Sequence, residues 1–130
     1  MISAIIITKN EEKHIAQCIA SLSFCDEIIV VDSGSTDRTR EIAQSLGATV
    51  MNEHWQGYGN HKNIGIQHAQ YNWLLFLDAD ERISPELQEE LLHITEESKY
   101  PVYWITVVDI FLGKPLNHLV GHNPRLVKKG

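Results

Sequence analysis

The stretch Trp73-Leu74-Leu75-Phe76-Leu77-Asp78-Ala79-Asp80-Glu81 decides how this chain is read. Five consecutive large apolar side chains show no polar alternation, which describes a strand buried on both faces, as in parallel sheets. The run ends abruptly in three acids. In open α/β sheets ligands bind beyond the carboxyl ends of the strands, where these acids fall. Asp78 and Asp80 are hard oxygen donors suited to Mg²⁺ or Mn²⁺. Because Mg²⁺ is usually held by one or two carboxylates plus substrate phosphates, the motif points to a phosphorylated ligand. The following helix has its own start signal in Ser84-Pro85-Glu86, with Ser at the N-cap and Pro at the first helical position. Asp78 and Asp80 are thereby left without a capping task.

Outward from this stretch, strand and helix alternate. Residues 3–8 form a buried strand, and Asn10 is predicted to cap a helix with Glu11 and Glu12 in its first turn and Ile15, Cys18, Ile19 and Leu22 on its apolar stripe. A second strand runs from Glu27 to Val31 and ends at Asp32. After the turn Ser33-Gly34-Ser35, Ser35 or Thr36 caps a helix that directs Ile42, Ala43 and Leu46 inward and ends at Gly47. Residues 48–51 read as a short third strand. The glycines at 57, 59 and 65 mark a loop and a helix over 60–69. Beyond the acid-tipped strand lie an amphipathic helix over 85–98 and a β-branched, aromatic strand over 102–108. From Phe111 onward the periodicity fades, and 125–129 reads as an edge strand. This alternation predicts an α/β fold with a parallel, doubly wound sheet. Right-handed crossovers then bring Thr8, Asp32 and Asp78 to one edge.

Composition narrows the function classes. With 130 residues, 43% hydrophobic and 22% charged, the chain is one ordinary globular domain. A net charge of −6 argues against nucleic-acid binding by broad phosphate neutralisation, so no nucleic-acid partner is expected. Cys18 and Cys25 lack CxxC or metal-ligand spacing and read as reduced thiols of a cytoplasmic protein. The apolar run at the N-terminus lacks a basic n-region and is too short for a signal peptide, and no segment reaches the length of a membrane span.

The predicted edge carries three polar loops: Thr8-Lys9-Asn10-Glu11, Asp32-Ser33-Gly34-Ser35-Thr36-Asp37, and Asp78-Ala79-Asp80-Glu81. No GxGxxG follows the first strand and no GxxxxGK[ST] occurs, so neither glycine loop is available to cradle phosphates. A divalent cation on Asp80 would neutralise a pyrophosphate instead.

Four segments in this order, Ile-Ile-Ile-Thr-Lys-Asn-Glu-Glu, Ile-Ile-Val-Val-Asp-Ser-Gly-Ser-Thr-Asp, His-Lys-Asn-Ile-Gly and Leu-Asp-Ala-Asp-Glu, resemble glycosyltransferase family 2 over nearly the whole chain. The wording of Lys-Asn-Glu and Asp-Ala-Asp-Glu is most similar to the bacterial lipopolysaccharide-core glucosyltransferase branch. The resemblance implies a type A fold, a three-layer α/β/α sandwich with a mostly parallel sheet. It also implies inverting, metal-dependent transfer from a nucleotide-sugar, a UDP-sugar, to a glycan or lipid-linked acceptor, with Mg²⁺ or Mn²⁺ as cofactor. Thr8, Asn10 and Glu11 match the segment bordering the nucleoside. Asp32 matches the acid facing the uracil, Lys62 the cation reaching base or phosphates, Asp78 the acid near the ribose and Asp80 the metal ligand. Local alternatives stand beside these roles: Thr8 as a strand end, Asp32 as the cap of its own turn, Lys62 as a solvated helix lysine.

The resemblance assigns residues 1–110 to donor binding and 111–130 to the start of an acceptor-side segment that is incomplete in length. The resemblance places the acceptor-side base in a second half, so the base is expected to be absent here; Asp109, the only acid after Glu97, is a weak candidate that nothing places against a sugar, with His118 and His122 weaker still. A catalytically incomplete nucleotide-binding or regulatory module is therefore the alternative function. A nucleotidyltransferase is disfavoured for want of a Gly-rich, basic triphosphate loop. An unfinished sheet edge predicts self-association as a homodimer. The lipid-linked acceptor implies peripheral contact with the inner face of a bacterial membrane.

Overall fold

The apolar runs pair as the alternation predicts. The structure is a computed structural model that describes residues 1–97, 102–103, 107–111, 114–118 and 126–128, with side chains for 1–96 and 126–128. The strands are β1 (Ile2–Thr8), β2 (Glu27–Asp32), β3 (Thr49–Asn52), β4 (Trp73–Asp78), β5 (Val102–Tyr103), β6 (Val107–Phe111), β7 (Lys114–His118) and β8 (Leu126–Lys128). The helices are α1 (Ile15–Ala20), α2 (Thr39–Ser45), α3 (Tyr58–His68) and α4 (Pro85–Glu97). One sheet has the order β3-β2-β1-β4-β8-β5, parallel from β3 to β4 and antiparallel at β8. A separate antiparallel pair joins β6 and β7.

Period-two alternation along the central strands sorts side chains between two faces. Ile2, Ala4 and Ile6 of β1 pack with Leu75 and Leu77 of β4 against Ile15, Cys18 and Ile19 of α1, Ala43 of α2 and Leu91 of α4. Ile5, Ile29, Val31, Leu74 and Phe76 face the other way, against Ile64 and Ile66 of α3. The result is three layers, with α3 alone on its side among the described helices. Gly65 lets α3 come that close: a Cβ there would lie 2.5 Å from Ile5 Cγ2.

Several local expectations are corrected. Asn10 does not cap α1. That helix begins at Ile15 with His14 as a cap that makes no side-chain bond, while Asn10 sits at φ 53° in the loop before it. Its side chain is drawn away by a long-range partner described below. α2 likewise begins at Thr39 rather than beside Ser35 or Thr36, because residues 33–38 first cross to the β1 loop. Gly47 does end α2 as predicted. Its N–H donates to Gln44 O (3.1 Å) and the Ala48 N–H to Ala43 O (3.1 Å), the bond pair of a Schellman turn. This turn leaves Leu46 48% exposed rather than inward. α3 starts at Tyr58, with Gly57 at φ 95° as its cap. Ser84 caps α4 as expected, its hydroxyl accepting from the Leu87 N–H at 3.2 Å.

The expected strand over 102–108 is described as β5 and part of β6, with 104–106 outside the described residues. Leu126–Lys128 is not an edge strand: it lies between β4 and β5, with Leu126 fully buried. That segment falls beyond residue 110 and still completes the main sheet.

Candidate functional site

Register places the loops. Thr8 pairs with Asp32, Ile7 with Asp78, and Asp32 with Asn52, so β1, β2, β3 and β4 all end at one edge. Two adjoining hollows open there, of about 310 and 260 Å³. The first is bordered by Lys62, Phe76, Gly59 and Ile5, the second by Thr8, Glu11, Ser33, Trp55 and Asp80. Ile7, Tyr58 and Asp78 line both, making one continuous cleft.

Hydrogen bonds lock the β1 and β2 loops together. Asn10 Oδ1 accepts from the Thr36 N–H (2.8 Å) and hydroxyl (3.4 Å), while the Asn10 N–H donates to Ser35 Oγ (2.8 Å). Thr39 Oγ1 accepts from the Glu11 N–H at 2.9 Å. Asp37 accepts from the N–H groups of Thr39 (3.0 Å) and Glu12 (3.2 Å) and from the Thr39 hydroxyl, and that hydroxyl foremost holds its carboxyl below the usual carboxylate range. Asp32 has zero exposure. Its Oδ2 accepts from the N–H groups of Gly34 (3.0 Å) and Ser35 (2.8 Å), its Oδ1 accepts from the Ser35 hydroxyl, and Arg40 Nε lies 3.7 Å from Oδ2. Of the residues matched to the nucleoside, Asp32 is thus the one the fold turns inward, into its own turn.

The acids at the end of β4 are arranged differently. Asp78 and Asp80 are exposed, while Ala79 between them is buried. Glu81 is 5% exposed, and its Oε1 accepts from the Asp78 N–H at 2.7 Å while its own N–H donates to Asp78 O at 3.0 Å. This reciprocal clasp fixes the turn that presents the two exposed carboxylates. Glu11, across the cleft, has its carboxyl pushed above the ordinary value, first by burial and then by Asp80, with Asp37 and Asp78 adding and His14 opposing. A negative field of this kind favours a cation. Among the described residues no three His, Cys, Asp or Glu side chains converge on a metal position. Asp78 and Asp80 are exposed carboxylates, the donor type that a hard divalent ion takes beside phosphate and water.

Thr8, at 4% exposure, has a buried hydroxyl without a hydrogen-bond partner among the described residues, and it borders the cleft. Lys62 reaches the cleft with its Nζ 5.4 Å from the Phe76 ring centroid. Thr8, Glu11, Lys62, Asp78 and Asp80 thus share one cleft, with exposed Asn10 and buried Asp32 bracing its loops. Asp109 lies on β6, paired with Leu116, but its side chain and those of His118 and His122 lie outside the described side chains. Sequence reasoning missed Trp55, Tyr58 and the clasp of Glu81. The aromatic pair sat in a segment without periodicity, and only its density of rings hinted at a site.

Residues 3–129 match Glycosyl transferase family 2. A lipopolysaccharide core biosynthesis glycosyltransferase, LpsC, of Rhizobium meliloti is 36% identical over 99% of this chain and 51% of its own length. An uncharacterized glycosyltransferase of Rickettsia typhi is 42% identical over 86% of this chain and 40% of its own. The chain thus spans about half the length of these curated relatives, or less. Among solved structures, glucosyl-3-phosphoglycerate synthase from Mycobacterium tuberculosis, in complex with Mn²⁺, UDP and phosphoglyceric acid, superposes with a TM-score of 0.66 at 27% identity, covering 78% of this chain and 41% of that one. TarS of S. aureus gives 0.63 at 31% identity, covering 73% and 32%.

Proposed function

The chain belongs to glycosyl transferase family 2, and from that premise we propose that its cleft binds a nucleotide-sugar, a UDP-sugar, for transfer to a glycan or lipid-linked acceptor of the bacterial cell envelope. The observation that carries this reading is the single cleft at the carboxyl ends of β1, β2 and β4, with exposed Asp78 and Asp80 at one end and Lys62 beside them. Similarity to LpsC supports an acceptor in lipopolysaccharide core synthesis. The UDP complexes of the mycobacterial synthase support the uridine donor and a Mn²⁺ or Mg²⁺ cofactor.

In this reading Asp80 holds the cation, with Asp78 next to it on the ribose side. When bound, the cation supplies Lewis-acid stabilisation of charge on the departing diphosphate. The chain's own residues do the rest of the donor's positioning. Glu81 keeps Asp78 and Asp80 at a fixed separation from the sheet. Lys62 meets phosphate charge or a carbonyl oxygen of the base, Thr8 offers to the nucleoside a hydroxyl that has no partner among the described residues, and Glu11 accepts from ribose or base. Asn10 and Asp32 act by bracing: they hold the β1 and β2 loops in the spacing a nucleoside needs, so that little ordering entropy is lost on binding. Transfer proceeds with inversion, for which a carboxylate on the acceptor side takes the acceptor's hydroxyl proton; that residue is unassigned among residues 1–130, Asp109 being only a weak candidate. No described helix is long and apolar enough to cross a membrane.

Calorimetry of UDP with and without Mn²⁺, on the wild type and Asp80→Ala, tests the assignment. Mn²⁺ should tighten UDP binding at least tenfold in the wild type and not in the variant. Equal, metal-independent binding in both would refute the metal role, and measurable donor hydrolysis or transfer by the chain would exclude a purely regulatory module.

A further inference from the structure

Trp55 and Tyr58 are large, exposed at 51% and 60%, and both border the cleft. Their rings meet edge to face, with centroids 5.0 Å apart and planes at 89°. His61 is fully buried, and its ring centroid lies 4.9 Å from that of Trp55 with the planes tilted by 52°. Gly57 at φ 95° supplies the bend that lets Trp55 double back onto the first turn of α3. The indole is therefore flanked on two sides, by a buried imidazole whose two nitrogens have no hydrogen-bond partner among the described residues and by a phenol set across it, while about half of its surface stays exposed. Exposing this much aromatic area costs solvation and is repaid when a flat ligand covers it.

Topology says which part of a donor that would be. The strand order β3-β2-β1-β4 brings Asp78 and Asp80 to the hollow from the end of β4 and Trp55 from the loop after β3, so the acids and the indole line one hollow from different strands. With a diphosphate on the β4 acids, we place its nucleoside, rather than its glycosyl group, toward β2 and β3, where Trp55 offers a flat face. Beside Asp78 and Asp80, the same hollow holds Thr8, whose hydroxyl has no partner among the described residues, Ser33 and Glu11, groups that hydrogen-bond the edge of a base or ribose. None of the described loops after β1, β2 and β4 carries an aromatic residue, so a base in this hollow has its stacking surface from the β3 loop and α3.

We propose that Trp55, seated against His61 and edged by Tyr58, is the face on which the donor's nucleobase stacks. This inference rests on the nucleotide-sugar reading above and deepens it by assigning the base to a residue outside the matched motifs. UMP, UDP, UDP-glucose and Mn²⁺-pyrophosphate are the probes, with the folded state of each variant checked by circular dichroism. Trp55→Leu should weaken UMP and UDP by the same factor, roughly tenfold, the scale of a lost base–aromatic stack. It should leave Mn²⁺-pyrophosphate unchanged, and Trp55→Phe should recover most of the affinity. In the wild type, UMP should quench the exposed indole's emission and ribose 5-phosphate should not. Unchanged UMP binding in Trp55→Leu, or equal quenching by both ligands, overturns the proposal. A loss confined to UDP-glucose overturns it in favour of a sugar platform. Wild-type chain that binds pyrophosphate with Mn²⁺ but no UMP overturns the stacking alone, whereas failure to bind any of the four probes overturns the nucleotide-sugar reading itself.

Discussion

Gly65→Ala is the most direct test of how α3 is seated on the sheet. The added Cβ would lie 2.5 Å from Ile5 Cγ2, 3.3 Å from Cδ1 and 3.4 Å from Cγ1. Ile5 has no exposure, and its Cγ2 is attached directly to Cβ, so it cannot swing aside without changing a stiff χ1. Overpacking of this kind costs about 1–3 kcal/mol, and a contact this short belongs in the upper half of that range. Replacing a helical glycine by alanine returns about 1 kcal/mol through helix propensity. The net expectation is a destabilisation of about 1–2 kcal/mol. Gly59→Ala is the internal control: it sits in the same helix with nothing within 4 Å of its Cβ position, so only the propensity gain should appear, at most about 1 kcal/mol. Urea unfolding followed by circular dichroism gives both values from the shift in midpoint at constant m. Ile5→Ala in the Gly65→Ala background should recover part of the clash, seen as a favourable coupling in the double-mutant cycle. If Gly65→Ala stabilises the chain as much as Gly59→Ala does, the close approach of α3 to β1 is wrong, and with it the placement of Lys62 and Tyr58.

Glu81→Ala removes the acceptor of the Asp78 N–H and should cost about 1.5–3 kcal/mol, the worth of a hydrogen bond to a charged group, while Glu81→Gln should retain most of it; thermal melts compare the two. Asn10→Gly keeps the left-handed φ and loses only the bonds to Thr36, whereas Asn10→Ala also bears a backbone penalty, so Ala should be less stable than Gly by about 1–2 kcal/mol in urea titration. Both thiols are raised, Cys18 by burial and then by Glu81, Asp80 and Asp78, and Cys25 to about 12 by burial and then by Asp26. A raised pKa means the folded state keeps its proton longer than the unfolded one. The stabilisation is therefore complete below the unfolded thiol value, near pH 9, and is lost as pH climbs toward about 12, by up to roughly 1 kcal/mol per pH unit per thiol. Urea midpoints from pH 8 to 11 should fall accordingly, and the slope should flatten in the Cys18→Ala, Cys25→Ala double variant; an unchanged slope would show that the thiols titrate normally.

Much of the fold was legible because its signals are local. The runs 2–8, 27–32 and 73–78 are apolar over lengths that only a doubly covered strand accommodates, and Ser84-Pro85 and Gly47 carry cap geometry in their own chemistry. Leu126–Lys128 is three residues long, too short for a period, and its place between β4 and β5 is decided by partners far away in sequence. The roles of Asn10 and Asp32 show the same division. Both were legible as polar residues at strand ends, but the Thr36 N–H that claims the Asn10 side chain lies 26 residues away. The full burial of Asp32 follows from how its turn closes over it.

By itself the sequence determined the order of strands and helices through α4, though not β6 and β7, the edge at which the loops gather and the pair of carboxylates at the end of β4, because hydrophobic period and strand-end position are properties of short segments. Only the tertiary structure decided which of those loops face the cleft and which lock to each other. It turned Asp32 inward, left Asp78 and Asp80 outward on the clasp of Glu81, and set Trp55 against His61. The physical reason is that most buried hydrogen-bonding groups take whichever partner the fold brings within reach, the Thr8 hydroxyl and the His61 ring being exceptions among the described residues. That choice is made across the sheet rather than along the chain.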